Sequence, residues 1–412
     1  MIKFIFKYAK KYWWQIGLLL IFIACSASIN LTLPQYTSKI INEGVAMKNL
    51  DKVYENGFYM IGMSLLGGIA MILSMFCASR VASSIARDLR RETFTLIENF
   101  SMNEFGKFSV ASLITRTTND AQQFQQTFAM SLRMGIYAPF IGVGAIINVF
   151  RISSEMSWIV AACVGVIVFM VTLVTIFAVP RFKIIQKIVD KLNLQTRQTI
   201  TGLRVIRAYG NDQTEERKFA KINDDNMNNN VFIGRIMSLI GPVMTMVSGF
   251  SMVAIVWLGS YLIRDGNLQV GDIFALIQYI GQTTMAFMML SMIFVMVPRM
   301  MVSLGRIKEV LDTKLSIRDP EHPVSAPTDN SIEFKNVSFK YEGSEDKILN
   351  NINFKINSGE TVAIIGGTGS GKSTIAKLLP RFYDVSTGKI LVGGVDIRDI
   401  SQTTLRNIIG YA

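Results

Sequence analysis

The chain has 412 residues, half of them apolar and 17% charged, with a mean hydropathy of +0.35 and a formal net charge of +12. That length predicts more than one domain, and that composition excludes an ordinary soluble protein in favour of several membrane spans. The basic excess is one known footprint of nucleic-acid binding, but where the charges fall assigns it to membrane orientation, so no nucleic acid is expected as a partner.

A spanning helix needs about 20 apolar residues, and a charge at its centre costs about 2.5–3.5 kcal/mol. In chain order, six runs meet that requirement: 12–38, 56–79, 134–150, 156–180, 236–263 and 273–298. The first continues past the small-residue stretch "ACSAS", which makes it an uncleaved span rather than a signal peptide. The cysteines Cys25, Cys77 and Cys163 all lie inside apolar runs and form no CxxC pair. They read as small apolar residues, with no disulfide frame or zinc site. The single histidine, His322, sits in the proline-rich stretch "DPEHPVSAP" and reads as solvated.

Lys and Arg number 4, 7 and 11 in segments 1–11, 80–133 and 181–235, but 3, 1 and 1 in the alternate segments 39–55, 151–155 and 264–272. Positive charge concentrates on the cytoplasmic side, so the expectation is a multi-pass cell-membrane protein with a cytoplasmic N-terminus and C-terminal part. Both long basic segments are poor in Gly and Pro and predict helices that continue well past the bilayer. Their tips fall near "NEFGKFSVAS" and between "NLQTRQTITG" and "RAYGND". In the sixth run, Gln278, Gln282, Met285 and Met289 follow at spacings of four, three and four, which is one helix face. They form a candidate cavity wall for an amphiphilic small molecule, since methionine adapts to varied apolar partners. Ordinary helix packing explains the same pattern. The runs contain no ionisable residue that would mark a fixed ion pathway.

Pro320, Pro323 and Pro327 mark a linker. The expected organisation is a transmembrane domain over 1–311, a linker over 312–328 and a nucleotide-binding domain from 329 to 412. After the linker the period changes. "SIEFKNVSFKY" places Ile332 and Phe334 on one face, and "NINFKI" does the same with Ile352, Phe354 and Ile356. The apolar run "TVAII" (361–365) predicts a buried parallel strand. It leads into "GGTGSGKST" and then a helix, the order in which the GxxxxGK[ST] pattern cradles phosphate. The candidate nucleotide-binding residues are Gly366, Gly367, Thr368, Gly369, Ser370, Gly371, Lys372, Ser373 and Thr374. The glycines let successive amides turn inward on phosphate oxygens, and the helix start adds its positive end. Lys372 supplies a point charge and Ser373 a hydroxyl for Mg2+, while Thr374 can hydrogen-bond near the α-phosphate.

These motifs together resemble an exporter-type half-transporter of the ABC transporter superfamily. The fold this implies is an α-helical membrane domain with long cytoplasmic extensions, followed by an α/β P-loop nucleotide-binding domain. "FSVASLITRTTND" (108–120) and "GLRVIRAYGNDQTEERKF" (202–219) resemble the segments that follow the two cytoplasmic tips, and "GNLQVGDIFAL" (266–276) the turn before the sixth span. "VSFKYEG" places Tyr341 at the position of an aromatic that stacks on adenine, and "PRFYDVSTGKILVGGVDIRD" (380–399) is similar to the stretch after the P-loop. The resemblance implies ATP with Mg2+, a second half-transporter as homo- or heterodimer partner, and export of an amphiphilic drug-like or lipid-like substrate by alternating access. An ATP-dependent membrane regulator or a peptide exporter is the alternative. The family's Mg2+-sensing glutamine, LSGGQ signature, Walker B aspartate, catalytic glutamate and switch histidine do not occur in these residues. The expectation is therefore a C-terminally truncated chain with no catalytic residue and no hydrolysis of its own.

Overall fold

The computed structural model describes the backbone of all 412 residues and the side chains of all but Ile2, Val171, Thr175, Val179, Lys183, Phe294 and Val295. Two compact units emerge. One comprises Phe6–Ala82 and Gln126–Arg299, the other Met1–Ile5, Ser83–Gln125 and Met300–Ala412.

The helices are α1 (Ile2–Ala9), α2 (Trp13–Lys39), α3 (Leu50–Glu98), α4 (Met102–Lys107), α5 (Val110–Thr115), α6 (Ala121–Ile152), α7 (Ser157–Thr201), α8 (Leu203–Ala208), α9 (Asp212–Arg264) and α10 (Val270–Leu311). Among the described residues, six helical segments are long and apolar enough to cross a bilayer; five of the predicted runs lie within them and the fourth, 156–180, begins one residue before Ser157–Thr201. The longest, α9, has 53 residues, about 80 Å at 1.5 Å per residue and more than twice what a bilayer core needs. Gly202 and the stretch Tyr209–Asn211 interrupt the helices around α8, within the second predicted tip.

The membrane unit inverts the burial pattern of a soluble protein. Large apolar side chains such as Phe58, Ile72 and Phe250 are among its most exposed residues, because lipid solvates them as well as a core does. Its interior is centred on Tyr279, fully buried with Met156, Ile255 and Leu276. A buried hydroxyl in hydrocarbon needs an internal acceptor, and Tyr279 Oη donates to the Leu31 carbonyl at 2.7 Å. α7 and α9 pack side by side. The end of α2 is tied to the start of α10 by polar contacts: Ser38 Oγ donates to Asp272 Oδ1 at 2.7 Å, and the Gly271 amide donates to Asn42 Oδ1 at 2.7 Å.

In the second unit a four-stranded sheet runs in the order β2-β1-β3-β4, built from β1 (Ile332–Phe339), β2 (Leu349–Ile356), β3 (Thr387–Val392) and β4 (Val395–Asp396), with every pair antiparallel. Phe334 stacks on Phe354 at a ring separation of 4.5 Å, and the helices α11 (Lys372–Leu378) and α12 (Gln402–Asn407) contribute the fully buried Leu378 and Leu405 to the core. Alternation on β1 fails after Lys335. A register irregularity there, with Asn336 at φ 51°, buries Val337, Ser338 and Phe339 in succession.

The run 361–365 departs from its expected state. It forms no ladder and is exposed throughout, with Ile365 92% exposed. A parallel strand is stable when neighbours on both sides take up its amides and carbonyls, and no described strand lies beside this run.

Candidate functional site

The stretch Gly366–Gly371 turns directly into α11. Gly369 and Gly371 adopt φ of 84° and 92°, backbone that side-chain-bearing residues rarely take up. Gly371 is the residue before the helix and offers no side-chain cap. Among the described residues, the amides of Gly369, Gly371, Lys372 and Ser373 have no hydrogen-bond acceptor. Unspent N–H groups at a helix start fit an anion. Lys372 Nζ lies over the same loop, donating to the carbonyls of Gly366 and Gly367 at 2.8 and 2.7 Å. Ser373 is exposed and Thr374 is buried. The sequence-predicted loop residues are thus gathered at one place, although the strand expected to lead into them is not formed. Among the described residues, no three His, Cys, Asp or Glu side chains gather as a metal site, so a divalent ion here would rely on the Ser373 hydroxyl and a ligand's own oxygens.

Tyr341 joins this site. Its hydroxyl lies 3.2 Å from Thr374 Oγ1, and its ring meets Phe339 and Tyr383 edge-on. Burial, and then the neighbouring Tyr341, push the Tyr383 phenol above its ordinary range. The next residue, Glu342, pairs with Lys107 at the end of α4 at 3.2 Å. Helix α4 therefore reaches the turn that carries Tyr341.

The attachment of α4 went unrecognised in the sequence, although its signal was present as the capping box Ser101-x-x-Glu104. Glu104 is buried and accepts the amides of both Ser101 (2.7 Å) and Ser316 (3.0 Å). Burial works against its charge, but the Ser101 and Ser316 donors outweigh it and hold the carboxyl below the usual carboxylate range. Beside it, Arg116 pairs with Glu309 at 2.9 Å and Arg306 with Asp120 at 2.6 Å, joining a short π-helical stretch, Arg116–Asp120, to the end of α10. These residues are far apart in sequence, so spacing alone could not pair them.

The four residues proposed as a cavity wall do not share one environment. Gln278 and Met285 are exposed. Gln282 is half-buried and donates through Nε2 to the Asn30 carbonyl at 2.9 Å, while Met289 packs beside Ala27, Ala138, Ile141 and Ala286. Gln282 Oε1 is buried without a donor.

Two family descriptions match the chain: the ABC transporter transmembrane region over residues 16–287, and ABC transporter over 349–412. Among its relatives is the uncharacterized ABC transporter ATP-binding protein YfiB of Bacillus subtilis, 32% identical over 404 residues, 98% of this chain and 70% of that protein. The uncharacterized ABC transporter ATP-binding protein Rv1273c of Mycobacterium tuberculosis is also 32% identical, over 96% of this chain and 68% of its own length. An ATP-dependent lipid A-core flippase of Haemophilus influenzae is 28% identical over 95% of this chain and 66% of that protein.

Proposed function

The chain belongs to the ABC transporter family, and from that premise we propose that it is one half of an ATP-driven exporter that moves an amphiphilic, drug-like or lipid-like molecule across the membrane by alternating access. The observation that carries this reading is the placement of helix α4 and the Gly366–Thr374 loop in one compact unit, connected through the Lys107–Glu342 pair and the neighbouring Tyr341–Thr374 contact. A change at the nucleotide loop can thereby be felt by the helical tip.

In this reading the amides of Gly369, Gly371, Lys372 and Ser373 and the Lys372 ammonium hold the phosphates of ATP, the Ser373 hydroxyl provides an oxygen to Mg2+, and Tyr341 stacks on adenine. ATP supplies binding energy, and it drives a conformational change only to the extent that it binds one state more tightly than the other. We place the transmembrane domain at 1–311, the linker at 312–328 and the nucleotide-binding domain from 329, with the N-terminus and nucleotide module cytoplasmic. A second half-transporter, identical or merely similar, completes the assembly.

The exposed Gln278 and Met285, with the donor-free Gln282 Oε1 and the half-buried Met289, are the residues we assign to substrate contact. The lipid A-core flippase relative is compatible with a lipid-like cargo. The test is the full-length gene product in proteoliposomes, measuring ATP-dependent uptake of fluorescent lipids and cationic dyes, with Lys372→Ala as control. Vectorial uptake abolished by the substitution supports the exporter. ATPase activity without uptake of any substrate overturns it in favour of a membrane regulator.

A further inference from the structure

The stretch from Phe6 to Trp14 plays no part in the nucleotide site or in the bundle core centred on Tyr279. It contains the end of α1, a 3-10 turn over Lys10–Tyr12 and the start of α2. Tyr8 and Tyr12, one helical turn apart, are buried and anchor the segment. The residues between and beside them point the other way. Phe6, Trp13 and Trp14 are 68%, 73% and 53% exposed, and Lys7, Lys10 and Lys11 are exposed with them. Lys7 Nζ sits 5.7 Å from the centre of the Tyr8 ring and Lys11 Nζ 5.8 Å from that of Tyr12. No Asp or Glu occurs in residues 1–42.

We propose that Phe6–Trp14 is a lipid-headgroup contact that selects anionic phospholipids over zwitterionic ones. The argument rests on two complementary chemistries carried by one short segment. Exposed indole rings settle at the level where headgroup meets acyl chain, and lysine side chains extend from there to the phosphates. A zwitterionic headgroup presents a cation beside each phosphate and so offers the neighbouring ammoniums of Lys7 and Lys10 little net attraction. An anionic headgroup offers a full charge, worth about fivefold in local lipid enrichment per lysine near the surface. A free anion has no counterpart for the aromatic half of the segment. The choice of the cytoplasmic leaflet rests on the orientation proposed above, whereas the lipid preference does not.

The experiment uses the full chain with Trp158→Phe and Trp257→Phe, which leaves Trp13 and Trp14 as its only indoles. The protein is reconstituted in vesicles containing either brominated phosphatidylglycerol or brominated phosphatidylcholine over the same series of mole fractions, and tryptophan quenching is recorded. The expected result is half-maximal quenching at an about fivefold or greater lower mole fraction for the phosphatidylglycerol. The difference should shrink in high salt and vanish in the K7Q/K10Q/K11Q variant. Equal quenching by the two lipids overturns the inference, as does a preference that survives the triple substitution. A parallel arm places Lys10→Cys in a chain without Cys25, Cys77 and Cys163 and applies a membrane-impermeant maleimide to intact cells. Labelling there overturns the inner-leaflet assignment and the proposed orientation, and leaves the quenching result to decide the lipid preference on its own.

Discussion

Lys372 concentrates the largest effect in the fewest atoms. It donates to the Gly366 and Gly367 carbonyls, and its ammonium is the point charge that a phosphate would meet there. Losing one charge-assisted contact costs about 1.5–3 kcal/mol, which is tenfold or more in Kd. Lys372→Ala is therefore expected to weaken binding of a fluorescent ATP analogue by at least that factor, with the helical content seen by circular dichroism unchanged. Gly371 constrains the loop differently. At φ 92° an alanine is strained by about 1–3 kcal/mol, and its Cβ would lie 2.6 Å from Leu349 Cδ2. Leu349 can shift its methyl, so the backbone strain dominates. Gly371→Ala should lower the melting temperature and nucleotide affinity together, and a melting temperature equal to that of the parent would refute the conformational requirement.

At the scale of elements, the second unit depends on how α4 is fastened. Glu104 closes its own capping box and also accepts from Ser316, so one carboxylate fixes both the start of α4 and the chain after α10. Its folded-state pKa lies below the unfolded value of about 4.3, so its stabilisation is complete above that pH and is lost as pH falls through the folded value. The protection of the Ser101 and Ser316 amides against hydrogen exchange, relative to the intrinsic rate at each pH, should be flat from neutral pH down to about pH 5 and then fall below about pH 4.3. Glu104→Gln should forfeit about 1–3 kcal/mol of local protection at neutral pH and abolish the acid transition. A variant that keeps the transition would assign it to another group. The same fastening explains the partial legibility of this region. The tip itself was readable from "NEFGKFSVAS", and its cap from Ser101 and Glu104. Its pairing with Ser316 joins positions 212 residues apart and follows only from the folded chain.

At the scale of the whole molecule, the helices are long because two solvents act on them. Lipid requires about 20 residues of each, and the charged remainder extends into water, where the basic segments accumulate. The substrate path proposed along α10 makes a prediction about selectivity. Gln282→Ala combined with Met289→Ala is expected to change relative uptake among a panel of amphiphiles by about tenfold for the most affected member, since one lost pocket contact is worth about 1–3 kcal/mol. Basal ATPase activity should be retained, since neither residue belongs to the nucleotide loop. An unaltered uptake profile would remove α10 from the substrate path and leave Gln282 a packing residue.

Local chemistry made much of this protein legible before any coordinates. Spans announce themselves through length and hydropathy, because an apolar run excluded from water has few alternatives. The loop from Gly366 to Thr374 is similarly overdetermined, since positive φ and inward amides demand glycine at particular spacings. Tertiary structure alone decided which partners those elements have. It brought Lys107 to Glu342 and Arg116 to Glu309, separated Gln278 and Met285 from Gln282 and Met289, and left 361–365 outside the sheet. A strand's state depends on neighbours that hydrogen-bond to it, and an ion pair's on geometry across long chain separations. Neither quantity is a property of the segment itself.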